Sequence, residues 1–184
     1  MDKFCTNCGT KRLGDAKFCI ECGHRFDAGK EHTKITALKN DEEITFNMFC
    51  KPKKLRVFST GDNKFDEDGD YKEDGFDLSK EEIELLNWFI ENIKIEDYAD
   101  EIIDHCNYEY SQIGDGDETV TDLEDELDIY AIAINITEVW KSKDGYVYPE
   151  ISFYGDCKYD PEHGICIGFR DKKFLGIAGQ DWTL

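Results

Sequence analysis

The chain has 184 residues and a formal net charge of −20, with 12 Phe, 9 Tyr and 3 Trp among its 40% hydrophobic residues. That aromatic content supports a packed core and excludes wholesale disorder, and the length suits one ordinary domain with a small module attached. No apolar run is long enough to span a bilayer and the opening Met-Asp-Lys-Phe-Cys is not an apolar leader, so a cytoplasmic location without membrane association is expected.

Residues 1–27 contain an internal repeat. Phe4-Cys5-Thr6-Asn7-Cys8-Gly9 recurs as Phe18-Cys19-Ile20-Glu21-Cys22-Gly23, with ten residues between Cys8 and Cys19. Each Cys-x-x-Cys turn places two thiolates on one side of a short loop, and the following glycine leaves room for backbone amides beside sulfur. Two such turns supply four soft ligands with tetrahedral reach, which suits zinc, and a closed thiolate shell leaves no position for water or substrate. Cys5, Cys8, Cys19 and Cys22 are therefore the expected ligands of one structural zinc ion; a redox dithiol and an iron site are the competing readings. The eight cysteines fit metal and free thiols in a reducing compartment better than disulfides.

Residues 28–42 are polar and unpatterned, as a linker would be, and residues 43–184 form the expected main domain. Ile44, Phe46 and Met48 alternate with polar residues and predict a strand. Pro52 and its neighbouring lysines predict a turn, and Leu55 with Val57 a second, shorter strand. Residues 60–77, rich in Gly and Asp, read as a surface loop. Its Asp66-Glu67-Asp68-Gly69-Asp70 run suggests calcium by composition. Aligned on Gly69, however, an EF-hand would need carboxylates at Lys64 and Gly75, so a solvated acidic loop is expected.

Ser79 followed by Glu82 forms a capping box that opens a helix, with Ile83, Leu86, Phe89, Ile90 and Ile93 on one face. A second helix is predicted from about Ile95 to Tyr110, carrying Tyr98, Ile102, Cys106 and Tyr110, and the short join predicts an antiparallel helical hairpin. Residues 114–126 read as another acidic loop or frayed segment, including Asp115–Glu118. Beyond them the pattern becomes sheet: a long strand over Ile129–Trp140, a tight turn at Asp144-Gly145 and a return over Tyr146–Tyr154. A turn at Asp160–Gly164 and strands containing Ile165, Ile167 and Phe169, then Phe174–Ile177, complete a meander. The fold class is α+β: a small zinc ribbon, then a domain with an N-terminal β-hairpin, an α-helical hairpin and a C-terminal antiparallel β-meander.

Two resemblances follow from these motifs. Residues 3–26, carrying the doubled Phe-Cys-x-x-Cys-Gly, resemble the short zinc-ribbon family, whose members serve nucleic-acid, protein or purely structural roles. Gly155–Arg170, with Glu162-His163-Gly164 and the strand after it, resembles the end of an uncharacterised acidic bacterial domain family that pairs a helical hairpin with a meander. Some of its members lie near toxin-immunity loci, which implies an immunity-like binding role for residues 44–178.

Charge separates the two parts. Residues 1–34 carry 7 Lys and Arg against 5 Asp and Glu, a net +2, and the remainder carries 15 against 37, a net −22. A field of that sign repels phosphate backbones, attracts basic proteins and also favours solubility. A basic protein partner is therefore expected for the main domain. Nucleic-acid contact is reserved for the ribbon, through Lys3, Lys11, Arg12, Lys17 and Arg25. Glu162 and His163 beside Asp160 could form a carboxylate–imidazole pair for proton transfer or metal binding, against the plainer reading of a turn that satisfies its own polar groups. Cys157 and Cys166 flank that turn and could join it in a second zinc or redox site, unless a bulge at Gly164 places them on opposite faces. Cys50 and Cys106 read as core positions and His105 as a boundary residue. No catalytic residue is assigned. The expectation is a zinc-binding, non-enzymatic interaction protein; the alternatives are a hydrolase-like or metal-dependent enzyme centred on Asp160–His163 and a nucleic-acid-associated adaptor using the ribbon.

Overall fold

The computed structural model describes residues 10, 11, 21, 34–49, 51–60, 76–113, 119–136 and 147–183. The expected zinc ligands Cys5, Cys8, Cys19 and Cys22 lie outside the described residues, as do Cys50, the acidic runs at 66–70 and 115–118, and the Asp144-Gly145 turn. Among the described residues, β1 (Glu43–Met48), β2 (Lys51–Ser59), β3 (Leu127–Ile134), β4 (Ile151–Cys157), β5 (Ile165–Arg170) and β6 (Lys173–Ala178) form one sheet in chain order. Every pairing is antiparallel except β2 with β3, which is parallel. Parallel neighbours need a crossover, and α1 (Lys80–Asn92), a 3-10 turn (Ile95–Tyr98), α2 (Ala99–Ile113) and the short α3 (Leu123–Glu126) lie within it. The class is α+β. No described helix is long and apolar enough to cross a membrane.

The first hairpin corrects the expectation at Pro52. Pro52 lies inside β2 opposite Asn47, and β2, with nine residues, is longer than the six-residue β1. Proline is tolerated there because β3 pairs only with Arg56–Ser59, so the first half of β2 is bonded on one side. Chain packing on the domain begins before β1. The Asn87 side chain accepts from the Ile35 N–H and donates to the Ile35 carbonyl, both at 2.9 Å. Leu78 N–H donates to the Leu38 carbonyl at 3.0 Å.

The predicted capping box is present. Glu82 N–H donates to Ser79 Oγ (3.2 Å), and Ser79 N–H to Glu82 Oε2 (2.7 Å). Glu82 is nevertheless fully buried, and its other oxygen accepts from Ser59 Oγ at 2.5 Å, so one carboxylate joins the start of α1 to the end of β2. Glu82→Ala should destabilise the domain by about 3 kcal/mol, combining a lost cap of about 1 kcal/mol with buried donors left without that acceptor. Urea unfolding against exposed Glu84→Ala measures it, and a loss under roughly 0.5 kcal/mol would contradict this role.

Ile83, Leu86 and Phe89 of α1, Ile93 just after it, and Ile102 and Cys106 of α2 are buried against one face of the sheet. Phe89 is central: its ring lies 4.8 Å from Phe153, 5.3 Å from Phe169 and 6.3 Å from Phe46, centroid to centroid. The second helix starts as the 3-10 turn, not as α-helix, and only from Ala99 does it become α-helical.

The meander is shifted from the sequence reading. β3 ends at Ile134, and β4 begins at Ile151, just after Pro149, which cannot donate to a ladder. The opposite face of β3–β5 carries small residues, Ala131, Ala133, Ser152, Cys166 and Gly168, all buried. At Gly168 an added Cβ would meet Trp182 at 2.8 Å and Pro149 at 2.9 Å, so proline and indole cover that floor by close approach. The Trp182 indole N–H donates to the Val147 carbonyl at 3.1 Å, holding the C-terminal segment there. Asp171 (φ 49°) and Lys172 (φ 60°) form the two-residue turn between β5 and β6, both left-handed, which matches the twist of a tight hairpin.

Candidate functional site

Side chains with chemical potential converge at one end of the sheet, where the β4–β5 turn meets α2 and the C-terminal 3-10 turn (Gln180–Thr183). The turn is tied down from both sides. Glu126 of α3, largely buried, accepts from Tyr159 N–H at 3.2 Å and from Tyr110 Oη at 3.1 Å. Gly164 N–H donates to the Asp160 carbonyl at 2.8 Å with φ +59°, a left-handed conformation that favours glycine. Gln180 N–H donates to the His163 carbonyl (2.8 Å), and its side-chain amide donates to the Gly155 carbonyl (2.7 Å). An added Cβ at Gly164 would stand 2.2 Å from that amide, so Gln180 fills the space glycine leaves.

Between these elements lies an open depression of about 390 Å³, lined by His105 and Glu109 of α2, Tyr159, Asp160 and His163 of the turn, and Asp181 near the C terminus, with Ile177 and Ala178 among the apolar parts. The His105 and Tyr159 rings meet edge-on at 5.9 Å. None of the described lining residues is Ser, Thr or Cys.

The two histidines are biased in opposite directions. His163 is exposed, and its Nδ1 lies 3.0 Å from Asp160 Oδ1 while its N–H donates to the same oxygen at 3.0 Å. That hydrogen bond, reinforced by the Asp160 charge, raises its pKa above the ordinary value. Burial lowers the pKa of His105, partly offset by Glu109. The linkage signs follow. The His163–Asp160 pair contributes its full stabilisation below the unfolded value of about 6.5 and loses it as pH rises through the higher folded pKa. His105 removes stability as pH falls from about 6.5 toward its lower folded value. A bulk stability curve blends these effects, whereas imidazole NMR titration separates them. His163 should titrate above about 6.5 and His105 below it, and Asp160→Asn should return His163 toward 6.5 without moving His105. A His163 pKa unchanged in that variant would contradict the pairing.

The cysteines separate. Tyr154 pairs with Cys166 and Gly155 with Ile165, so Cys157, three residues beyond Tyr154, projects from the opposite face to Cys166. A site shared by these two thiols is therefore ruled out by register. Cys157 joins the helix-side core, and its thiol donates to the Asp160 carbonyl at 3.5 Å. Burial pushes the Cys157 thiol up to about 11 and those of Cys106 and Cys166 up to about 12, which leaves all three protonated and unreactive at neutral pH. Among the described residues no group of three or more His, Cys, Asp or Glu is arranged to hold a metal ion.

The sequence pointed to Asp160, Glu162 and His163, and the structure places Asp160 and His163 in the depression with Glu162 exposed on the same turn. Glu109, Tyr159 and Asp181 were not anticipated, and His105, half-buried in the middle of α2, belongs to this cavity wall. Tyr159 directly precedes Asp160 and Glu109 lies one helical turn from His105, but tens of residues separate α2, the β4–β5 turn and Asp181, so the sequence does not show that they meet.

No curated protein and no solved structure matches the chain. Residues 4–26 match the model of the zinc-ribbon domain, within which all four expected ligands fall. Residues 27–184 match the family described as Domain of unknown function (DUF6985), and the chain belongs to that family, with the zinc ribbon preceding it.

Proposed function

We propose that the protein is a non-enzymatic, cytoplasmic interaction module whose acidic domain covers a basic surface on a protein partner, as immunity-like proteins do. Cys5, Cys8, Cys19 and Cys22 hold one structural zinc ion in the ribbon, and four thiolates are a donor set suited to that metal. The observation that carries the reading is the distribution of uncompensated charge. The described basic residues of β2 are engaged internally: Lys51 with Glu124, Lys53 with Asp128, Lys54 with Glu43 and Arg56 with Asp41. On the helical side, Asp97, Asp100, Glu101 and Asp104 are exposed, and none of them joins an ion pair among the described residues. Tyr108, 61% exposed, stands one turn beyond Asp104 and adds a ring that a guanidinium can stack on.

Summed over the surface, such a field steers oppositely charged proteins and weakens as salt shortens its range to about 3 Å at 1 M. The test is recovery of partners on the full chain from its native host, followed by affinity measurement across salt. The reading expects a basic protein whose affinity falls roughly tenfold or more between about 0.1 M and about 1 M salt. Acidic partners, or an affinity indifferent to salt, would overturn it.

A further inference from the structure

We infer that the depression between α2 and the β4–β5 turn is the anchoring subsite for a single guanidinium group, an arginine side chain presented by the basic partner. The inference rests on the binding reading above and narrows it to one cavity and one side-chain chemistry.

Three carboxylates reach the cavity from three separate elements: Asp160 of the β4–β5 turn, which is paired with His163, and Glu109 of α2 and Asp181 of the C-terminal 3-10 turn, which join no ion pair among the described residues. No Lys or Arg is among the described lining residues. The cavity differs from a solubilising charge run because its other walls are apolar and aromatic. Ile177 and Ala178 offer a surface for an aliphatic stem, and the half-buried His105 ring, backed edge-on at 5.9 Å by the buried Tyr159, adds an aromatic wall. Arginine combines an apolar stem, a flat weakly hydrated cation and a fixed fork of donors, whereas lysine offers a compact, strongly hydrated charge with no plane to match these walls. The volume, about 390 Å³, lies near the lower end for ligand pockets and suits one side chain rather than an extended ligand.

The cavity is also preformed. The 2.8 Å bond from Gln180 N–H to the His163 carbonyl ties its C-terminal wall to its turn wall. Asp160 is oriented by His163, whose N–H and Nδ1 both lie 3.0 Å from Oδ1. Between the walls sits Gly179, where an added Cβ would stand 3.0 Å from Asp181 Oδ1 and 3.4 Å from His163 Cβ. The absence of a side chain there keeps the opening clear, and a site held in shape before binding loses less entropy on occupation.

The test is an NMR titration of the full zinc-loaded chain with N-acetyl-arginine amide, using the citrulline amide as the uncharged isostere and the lysine amide as the alternative cation. Among the described residues, His105 and His163 are the histidines that line the cavity, so their imidazole signals report its occupation. Arginine amide should shift both signals saturably, citrulline amide should not, and lysine amide should bind more weakly. The double variant Glu109→Gln with Asp181→Asn, at a half-buried and an exposed position and compared at an unfolding midpoint equal to the parent's, should weaken arginine binding roughly tenfold. The absence of saturable shifts overturns the subsite, as does equal binding of citrulline or undiminished binding to the double variant. Lysine binding equal to arginine overturns the guanidinium assignment. If a basic partner still binds in a salt-dependent way while arginine amide leaves both imidazoles unmoved, the subsite fails and the acidic-domain reading stands. Saturable arginine binding without any basic partner overturns that reading and leaves the subsite in place.

Discussion

Phe89→Ala should destabilise the main domain by about 4 kcal/mol, a large share of the roughly 5–15 kcal/mol that holds a typical domain folded. Phe89 has no exposed surface, and its ring meets those of Phe46, Phe153 and Phe169. Truncation removes the transfer free energy of the ring and leaves a cavity at the junction of α1 with β1, β4 and β5, which rigid sheet neighbours cannot close. The tilted and edge-on ring contacts are lost as well. Urea unfolding should show a lower midpoint with an unchanged slope, while Tyr108→Ala, at an exposed position, should stay within about 0.5 kcal/mol of the parent. A Phe89→Ala loss under roughly 1 kcal/mol would mean that the aromatic cluster is not the centre of the core.

Replacing Cys19 with serine should abolish zinc retention and unfold the ribbon while leaving the main domain's unfolding midpoint in place. Residues 4–26, the span of the zinc-ribbon match, are too few to bury a sustaining core. In comparable peptides structural zinc contributes about 10–16 kcal/mol, so loss of one thiolate outweighs whatever packing the ribbon has. Metal analysis should give about one zinc per parent chain and none retained by the variant. Limited proteolysis should then cut within residues 1–34 and spare the domain. A domain midpoint that falls with the metal would show that the zinc supports both parts and would contradict its confinement to the ribbon.

Legibility of the fold followed the range of the interactions. α1 could be read because Ser79 and Glu82 are local partners and the apolar spacing repeats within a few turns. The tight turn at Asp160–Gly164 was marked for the same reason. The burial of Glu82 was not legible, because its additional partner Ser59 lies on another strand. Pro52 read as a turn since its tolerance depends on β3 stopping short of it, which only the sheet order reveals. Likewise the parallel pairing of β2 with β3 joins segments separated by the whole helical region, and no local pattern encodes it. Cys157 and Cys166 looked symmetric about their turn, yet strand register decides the outcome and places them on opposite faces. The site shows the same division. Asp160 and His163 were visible as neighbours, whereas Glu109 and Asp181 join them only through tertiary packing. The expected zinc ligands were read from a repeated motif and lie in the span matched by the zinc-ribbon family, outside the described residues.

The division of labour between ribbon and acidic domain is tested most directly by partner affinity measured on two variants of the full chain. One carries Cys5→Ser with Cys8→Ser; the other carries Asp97→Asn, Asp100→Asn, Glu101→Gln and Asp104→Asn. Function resident in the acidic domain predicts that the first variant binds the partner within about twofold of the parent, while the second, stripped of four exposed charges, loses roughly tenfold or more. Loss of binding in the ribbon variant with full binding in the charge-neutralised one would contradict that account.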